Sequence, residues 1–461
     1  MDGKRQVRVA VVGSGLAGLC TAFLLHQDSE KRYSVTLFEE GKELSLDSAS
    51  VSIANRSTRS FDRIDLPMRA FAGDYYNNLR ALYDHLGVQY RPQSFLFAFE
   101  RLAMGRAIPY FIHSSNHHRI PPLKPKGVSF LAYILEFLYL SVWYSYFTLC
   151  CIFDPPRSIP ASETLEDYLK RICIPQYFTT YYILPMMSSV STCPHDMLLR
   201  FPASDIIDYK RRTIGSKHYT VANGVGDAQQ RLVQDIRTIS SAHVQSVAPQ
   251  DDGGVKLEWR HTDDTHCLNP SDEEFHHVVL AVSPDIVGNI FQRLEGEMVQ
   301  IPTIRVESTV HSDDSTIQDQ PESLLSPAGN AQTIFFRTSV HERRTESVHL
   351  QPSGAIVTTC PFTPITSDRI IQTSSFTRVL RTPRSRSIVN TIFKERGEST
   401  PDKQELLVDE KTYLIAPWRN GDAGVWLAGG WCWDGMVLLE GCVLSAMRIA
   451  DAFNVQIPWE E

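Results

Sequence analysis

VRVAVVGSGLAGLCTAFLLHQDSEKRYSVTLFEE, residues 7–40, carries the pattern that decides the fold. Val7, Val9, Val11 and Val12 make an apolar, β-branched run that predicts a buried parallel strand. The strand ends in Gly13-Ser14-Gly15-Leu16-Ala17-Gly18, a G-x-G-x-x-G turn, after which Leu16, Leu19, Cys20, Phe23 and Leu24 recur at helical spacing. Val35, Leu37 and Phe38 predict a second strand. Glu39 and Glu40 close it about 20 residues beyond the last glycine.

Each position has a physical task. Gly13 permits the tight turn out of the strand, Gly15 lets a pyrophosphate approach the backbone, and Gly18 lets the helix sit close on the sheet. The helix start, with Ser14, Leu16 and Ala17 around it, offers unpaired N–H groups and a positive dipole end to phosphates. Glu39, with Glu40 beside it, is placed to accept hydrogen bonds from a ribose. A glycine triplet alone is weak evidence. Strand, turn, helix, strand and acid in that order point to an ADP-type dinucleotide site, against the alternative of a merely structural turn.

Working outward, 461 residues are too many for one small core, and two lobes are expected. Hydrophobic content of 43%, charged content of 21% and a net charge of −8 describe an ordinary globular chain with no electrostatic reason to bind nucleic acid. The nine cysteines are scattered, without a C-x-x-C. With the first strand starting near the seventh residue there is no room for a secretory signal, so free thiols and a cytoplasmic setting are expected.

Residues 128–153, VSFLAYILEFLYLSVWYSYFTLCCIF, complicate that setting. The segment is long and apolar enough to span a bilayer. Glu136, the serines and the aromatics favour buried helices of a substrate lobe, with membrane-surface docking and a true span as the other readings. Residues 74–87 predict a helix stopped by Gly87. Residues 90–100 alternate as a strand with Phe95, Phe97 and Phe99 on one side. His113, His117 and His118 could bind metal only from a helix, and the Ser/Asn/Pro context reads as a loop, so no metal is expected. A helix capped by Ser162 or Thr164 opens an aromatic- and methionine-rich run broken at Pro175 and Pro185. It reads as helical core, and also as the wall of an apolar pocket. Beyond Tyr219 the chain predicts a helix over 227–236, a hairpin turning at Gly253-Gly254 and a buried strand over 278–282. Residues 311–332 read as a mobile loop. Arg381, Arg384 and Arg386 read as a solvated basic face.

Residues 425–442, VWLAGGWCWDGMVLLEGC, repeat the physics of the N-terminus: a strand, a glycine-rich turn, then a helix to about Phe453. Two such turns at opposite ends of a chain resemble the glutathione-reductase-type FAD fold. More closely they resemble the flavin-containing amine oxidoreductase superfamily, which includes monoamine oxidases and phytoene desaturases. Leu427-Ala428-Gly429 and Gly435-Met436 through Glu440-Gly441 resemble that family's F-A-G and G-x-M-E-G pieces, with extra residues between Met436 and Glu440. The middle of the chain, residues 168–185 and 198–202, is similar to amine-oxidase-like FAD proteins of the predicted NAD/FAD-binding group. The resemblance implies an α/β chain: a Rossmann-type FAD domain built from 1–62, 203–290 and 403–461, and an inserted α+β substrate domain from 63–202 and 291–402, helical over 128–200. It further implies FAD contacts at Arg69, at Val247 through its backbone, and at Gly430, Trp431, Asp434, Gly435 and Met436.

The departures are specific. The family's L-G-G segment reads Leu44-Ser45-Leu46, and Trp431 replaces the acid that often follows F-A-G. Cys432 raises the question of covalent FAD attachment, at a spacing that does not match. No catalytic triad, metal motif or acid pair stands out, which suits hydride transfer to a flavin. The expectation is therefore an FAD-dependent oxidase, dehydrogenase or desaturase acting on an apolar small molecule or lipid-like metabolite. An FAD-dependent double-bond isomerase and a non-catalytic GDI-like carrier are the alternatives. No catalytic residue and no oligomeric state can be named from the sequence.

Overall fold

Val7–Val12 lies at the centre of a five-stranded parallel sheet in the computed structural model, which describes residues 6–55, 60–103, 105–115, 123–157, 162–262, 270–318, 320–327, 331–394 and 417–460. Across the sheet the order is Arg237–Ile239, Tyr33–Phe38, Val7–Val12, His277–Leu280 and Val425–Leu427, each pair parallel. Both faces are covered. Val9, Val11 and Leu37 join one core with helices Leu16–His26 and Leu439–Ala452. Ala10, Val12 and Phe38 join another beneath the antiparallel sheet Ala242–Pro249, Val255–His261 and Ser271–Phe275. That double burial is why the first strand is apolar throughout and does not alternate.

The second lobe is a seven-stranded sheet ordered Ile370–Val379, Thr303–His311, Ile356–Thr359, Arg344–Leu350, Gln332–Ser339, Phe95–Ala103 and Arg106–Ser114. Phe95, Phe97, Phe99, Ile334 and Phe336 rise from it against the helices of residues 165–212. The fold is the one the two turns imply: a glutathione-reductase-type dinucleotide domain with an inserted α+β lobe. The packing divides the chain a little differently from the boundaries implied by the resemblance. Helix Ala203–Arg212 packs in the substrate lobe, whereas helices Asn77–Leu86 and Pro383–Ile392 pack with the nucleotide domain.

Several local expectations are met for the reasons given. Gly87 caps its helix in the left-handed conformation, Thr164 Oγ1 accepts from Asp167 N at 3.2 Å, and Gly253-Gly254 turns the hairpin. The helix expected over 227–236 is shorter, Val225–Val233, because Arg237–Ile239 is claimed by the edge of the parallel sheet.

Other expectations are corrected. Residues 130–153 form one continuous helix lying on the substrate lobe with most of its surface exposed, not a set of buried helices. The basic cluster is a solvated face only at Arg384, which is exposed. Arg381 is 2% exposed, and its Nη2 donates to the carbonyls of Trp431, Trp433 and Gly435 at 3.2, 2.8 and 3.1 Å. Arg386 pairs with Asp205 at 3.1 Å and Asp434 at 2.6 Å. Residues 311–332 carry structure: His311 is a buried strand end, and a short helix spans Glu322–Leu325. His117 and His118 lie outside the described residues. Among the described residues no cluster could hold a metal ion.

Candidate functional site

At the N-terminal turn the protein itself explains two of the three glycines. Gly13 has φ +101°, and a Cβ there would lie 2.7 Å from the Ala281 carbonyl oxygen. A Cβ on Gly18 would lie 1.9 Å from the Gly13 carbonyl oxygen, so helix and strand meet only because it is absent. Gly15 differs. Its φ of −66° suits any residue, and a Cβ would meet only Ser45 Oγ, at 4.0 Å. Neither backbone nor packing requires glycine there; the space beside it is left open. Glu39 is buried, with Oε2 accepting from Ser14 N at 3.1 Å and from Ser14 Oγ, and Oε1 from Gly41 N at 2.8 Å. Glu40 is exposed and faces His243 at 2.7 Å.

The C-terminal turn is filled by its own tryptophans. Trp433 lies where Cβ atoms on Gly435 and Gly441 would be, at 2.6 and 2.3 Å, and its Nε1 donates to the Met436 carbonyl at 2.9 Å. Trp431 Nε1 donates to Val282 O at 3.1 Å. Glu440 is turned away, accepting from Asn78 N and Leu79 N at the start of helix Asn77–Leu86. The helix that follows begins after Leu438, and Cys442 in its first turn joins the two ends of the chain. The Cys442 sulfur interacts with the backbone N–H groups of Gly430 and Ala17, while burial pushes the thiol up to about 11.

Between the turns opens a cavity of about 820 Å³. Gly15, Leu16, Ala17, Ser45 and Leu46 line it from one end of the sequence, and Gly429, Gly430, Trp431, Leu438, Leu439 and Cys442 from the other. It continues into the substrate lobe between Phe95, Phe97 and Phe99 on the sheet and Tyr182, Ile183 and Met187 on the helices. The last group follows from a π-helical turn at Thr179–Ile183, which re-aims the chain ahead of Pro185.

Besides Lys210 at its far end, two arginines face this space. Arg69 Nη2 donates to the Leu46 carbonyl at 3.3 Å while its Nε is buried without a partner. Arg378 Nε donates to Thr192 Oγ1 at 2.7 Å. Burial lowers both guanidiniums, Arg378 to about 10 with the Arg69 charge adding to the effect, while at Arg69 the Asp65 carboxylate works against burial. Among the described residues no carboxylate ion-pairs with either. The neutral groups stay neutral: burial takes His349 down to about 3 and holds the Tyr76 phenol well above its usual value.

The residues expected from sequence are thus distributed unevenly. Gly15, Leu16, Ala17, Arg69, Gly430 and Trp431 line the cavity. Gly13, Ser14, Gly18 and Glu39 form the turn behind it, and Glu40 and Val247 lie beyond its lining, Val247 buried in the antiparallel sheet. Asp434 is on the outside with Arg386, Gly435 lies against Trp433, and Met436 packs in the substrate-lobe core. Cys432 is fully buried away from the cavity, its thiol raised by burial. Leu438, Leu439, Cys442 and Arg378 were not singled out in the sequence. The insertion between Met436 and Glu440 was the available signal that the helix start had moved toward Leu439.

A family model described as an NAD(P)-binding Rossmann-like domain matches residues 11–86. Among solved structures, the CLA-producing fatty acid isomerase from P. acnes superposes with a TM-score of 0.59 at 12% identity, over 97% of this chain and 98% of that one. The two chains share one fold over nearly their whole lengths. Cyclohexylamine oxidase from Brevibacterium oxydans superposes with a TM-score of 0.56 at 11% identity, over 98% of this chain and all of the other. No curated protein sequence matches. At these identities the likeness speaks for the fold, with its dinucleotide domain and its inserted lobe, and not for a shared substrate.

Proposed function

We propose that this chain is an FAD-dependent oxidoreductase acting on an apolar small molecule or lipid-like metabolite. The observation that carries the reading is the shared cavity: both strand-to-helix turns and an aromatic chamber open into one space. The residues present suit FAD. Gly15 leaves unfilled ground at a helix start, Arg69 Nε lacks a partner where an electron-rich group would lie, and a second helix starts at Leu438–Leu439 on the far side. In this arrangement Gly15, Leu16 and Ala17 would hold the pyrophosphate. Glu39 would hold the ribose, since a carboxylate retains acceptor capacity beyond its present donors. Gly430, Trp431, Leu438 and Leu439 would border the flavin end.

Bound FAD would supply the acceptor for a hydride from a substrate C–H or N–H bond. The chain's own residues orient that bond and keep water out. Phe95, Phe97, Phe99 and Tyr182 give the chamber apolar walls, which select an apolar body by shape and desolvation. Arg69 and Arg378 place positive charge beside the space, while His349, Tyr76 and Cys442 remain uncharged at neutral pH. Among the described residues no carboxylate lines the chamber, which suits hydride removal better than proton abstraction by an acidic residue.

Redox-neutral isomerisation is the second reading, favoured by the superposition with a fatty acid isomerase along nearly the whole chain. Oxygen uptake and anaerobic flavin bleaching with substrate separate the two: an oxidoreductase bleaches its flavin and turns over acceptor, an isomerase consumes none. A protein that neither carries nor takes up FAD would defeat both.

A further inference from the structure

Helix Phe130–Phe153 runs for 24 residues with Glu136 as its only charged side chain, and that carboxylate is satisfied internally, accepting from Tyr177 Oη at 2.9 Å and from Tyr182 Oη. Tyr133, Phe147 and Cys151 pack on the lobe. The other side exposes Phe130, Leu131, Leu135, Leu138, Val142 and Phe153 at 55–78%. These residues form an apolar stripe along a helix about 36 Å long, and surface stripes of that extent mark contact sites.

The inner edge of the same helix borders the cavity. Phe137, Leu140, Ser141 and Tyr144 line it, and facing them are Lys210, Thr213, Gly215 and Ser216, from the end of helix Ala203–Arg212 and the turn after it. Ser141, Tyr144 and Gly215 are also exposed, so the cavity reaches the surface in the seam between the two helices.

The seam is basic on a chain of net charge −8. Lys210 Nζ lies 2.5 Å from Tyr144 Oη and over its ring; Arg211 and Lys217 are exposed, and neither ion-pairs with a described carboxylate. Lys124 and Lys126 precede the long helix and Arg157 follows it. The neighbouring acids Asp154 and Asp208 are paired with Arg171 and Arg212.

We infer that this face docks on an anionic lipid bilayer, with the helix lying in the interfacial plane and the seam opening toward the acyl chains. An apolar substrate then passes from lipid into the cavity without crossing water. Apolar stripe, flanking cations and interfacial aromatics are the elements of such docking. A span would require the helix to unpack Phe147 and Cys151 and to break both tyrosine bonds to Glu136. The substrate-entry part rests on the proposed function; the docking does not.

Flotation of the purified full-length protein with phosphatidylcholine vesicles, with and without phosphatidylglycerol, tests the docking. The protein floats with the anionic vesicles, is released by carbonate, and shows slowed hydrogen exchange over residues 210–217 when bound. Leu135→Glu/Leu138→Glu/Val142→Glu abolishes flotation with an unchanged circular dichroism spectrum. Should that variant not fold, Lys210→Glu/Arg211→Glu lowers anionic-vesicle affinity about tenfold or more. The inference is overturned by failure to float, by resistance to carbonate, by lipid-free dimerisation through the stripe, or by flotation that leaves exchange over 210–217 unchanged. Protein that floats but binds no FAD would defeat the proposed function and leave the docking standing.

Discussion

The two strand-to-helix turns share a topology and differ in what holds them. At the N-terminal turn the backbone does the work: Gly13 and Gly18 are demanded by close approach, and Gly15 is free of any such demand. At the C-terminal turn side chains do it. Trp433 overlies Gly435 and Gly441, and the buried Arg381 gathers three carbonyls of the loop. The first turn therefore has room beside one defined residue, whereas the second is an internally packed support that carries a helix start to the same cavity. A glycine-rich sequence signals a ligand only where the protein leaves the glycine unexplained.

The largest effects expected are those that break either support. Gly18→Ala and Gly441→Ala each force a Cβ into backbone or indole, and both are expected to abolish soluble expression or lower stability by about 2 kcal/mol or more. Expression and thermal melts check this, and tolerance of either change would contradict the packing described. Arg381→Met leaves three buried carbonyls without their donor and Asp205 with Arg386 as its remaining cation. A loss of about 3 kcal/mol in denaturant unfolding is expected.

Gly15→Ala should divide stability from function. The cofactor-free melt stays within about 0.5 kcal/mol of the parent, whereas dinucleotide affinity in a titration falls at least tenfold. An equal loss in both would place Gly15 with the structural glycines.

The last effect, visible only on the acid side, is a pH dependence of the chamber. Burial holds His349 neutral, with a folded value near 3 against an ordinary 6.5. The unfolded chain binds the extra proton first, so the stability this group contributes is full above about 6.5 and is lost as pH falls toward 3. His349→Gln should flatten the acid side of the stability profile. An unchanged slope would mean that the histidine is already charged in the fold.

These contrasts also show what was legible in the sequence. Residues 7–40 could be read because strand, turn and acid are local and each glycine position has its own geometry. The C-terminal strand and helix were legible for the same reason. The contacts of Trp431–Met436 were not, because Arg381 arrives from 50 residues upstream and Trp433 folds back over the loop, pushing Asp434 outside and bringing Leu438, Leu439 and Cys442 to the cavity. Residues 381–386 read as a surface patch because charge implies water unless a distant loop supplies carbonyls. Residues 128–153 read as buried because Glu136, the serines and the aromatics speak against a free span. Helical spacing says nothing of whether a second layer exists to cover it, and over most of this helix none does.

The central claim is that both helix starts address one bound FAD. Its most direct test is a flavin titration of the purified protein, read by visible absorbance, with the parent and Gly15→Ala side by side. The account predicts one FAD per chain in the parent, with a shifted flavin spectrum and a clearly weakened complex in the variant. A colourless parent that takes up no FAD, or equal binding by both proteins, would contradict it.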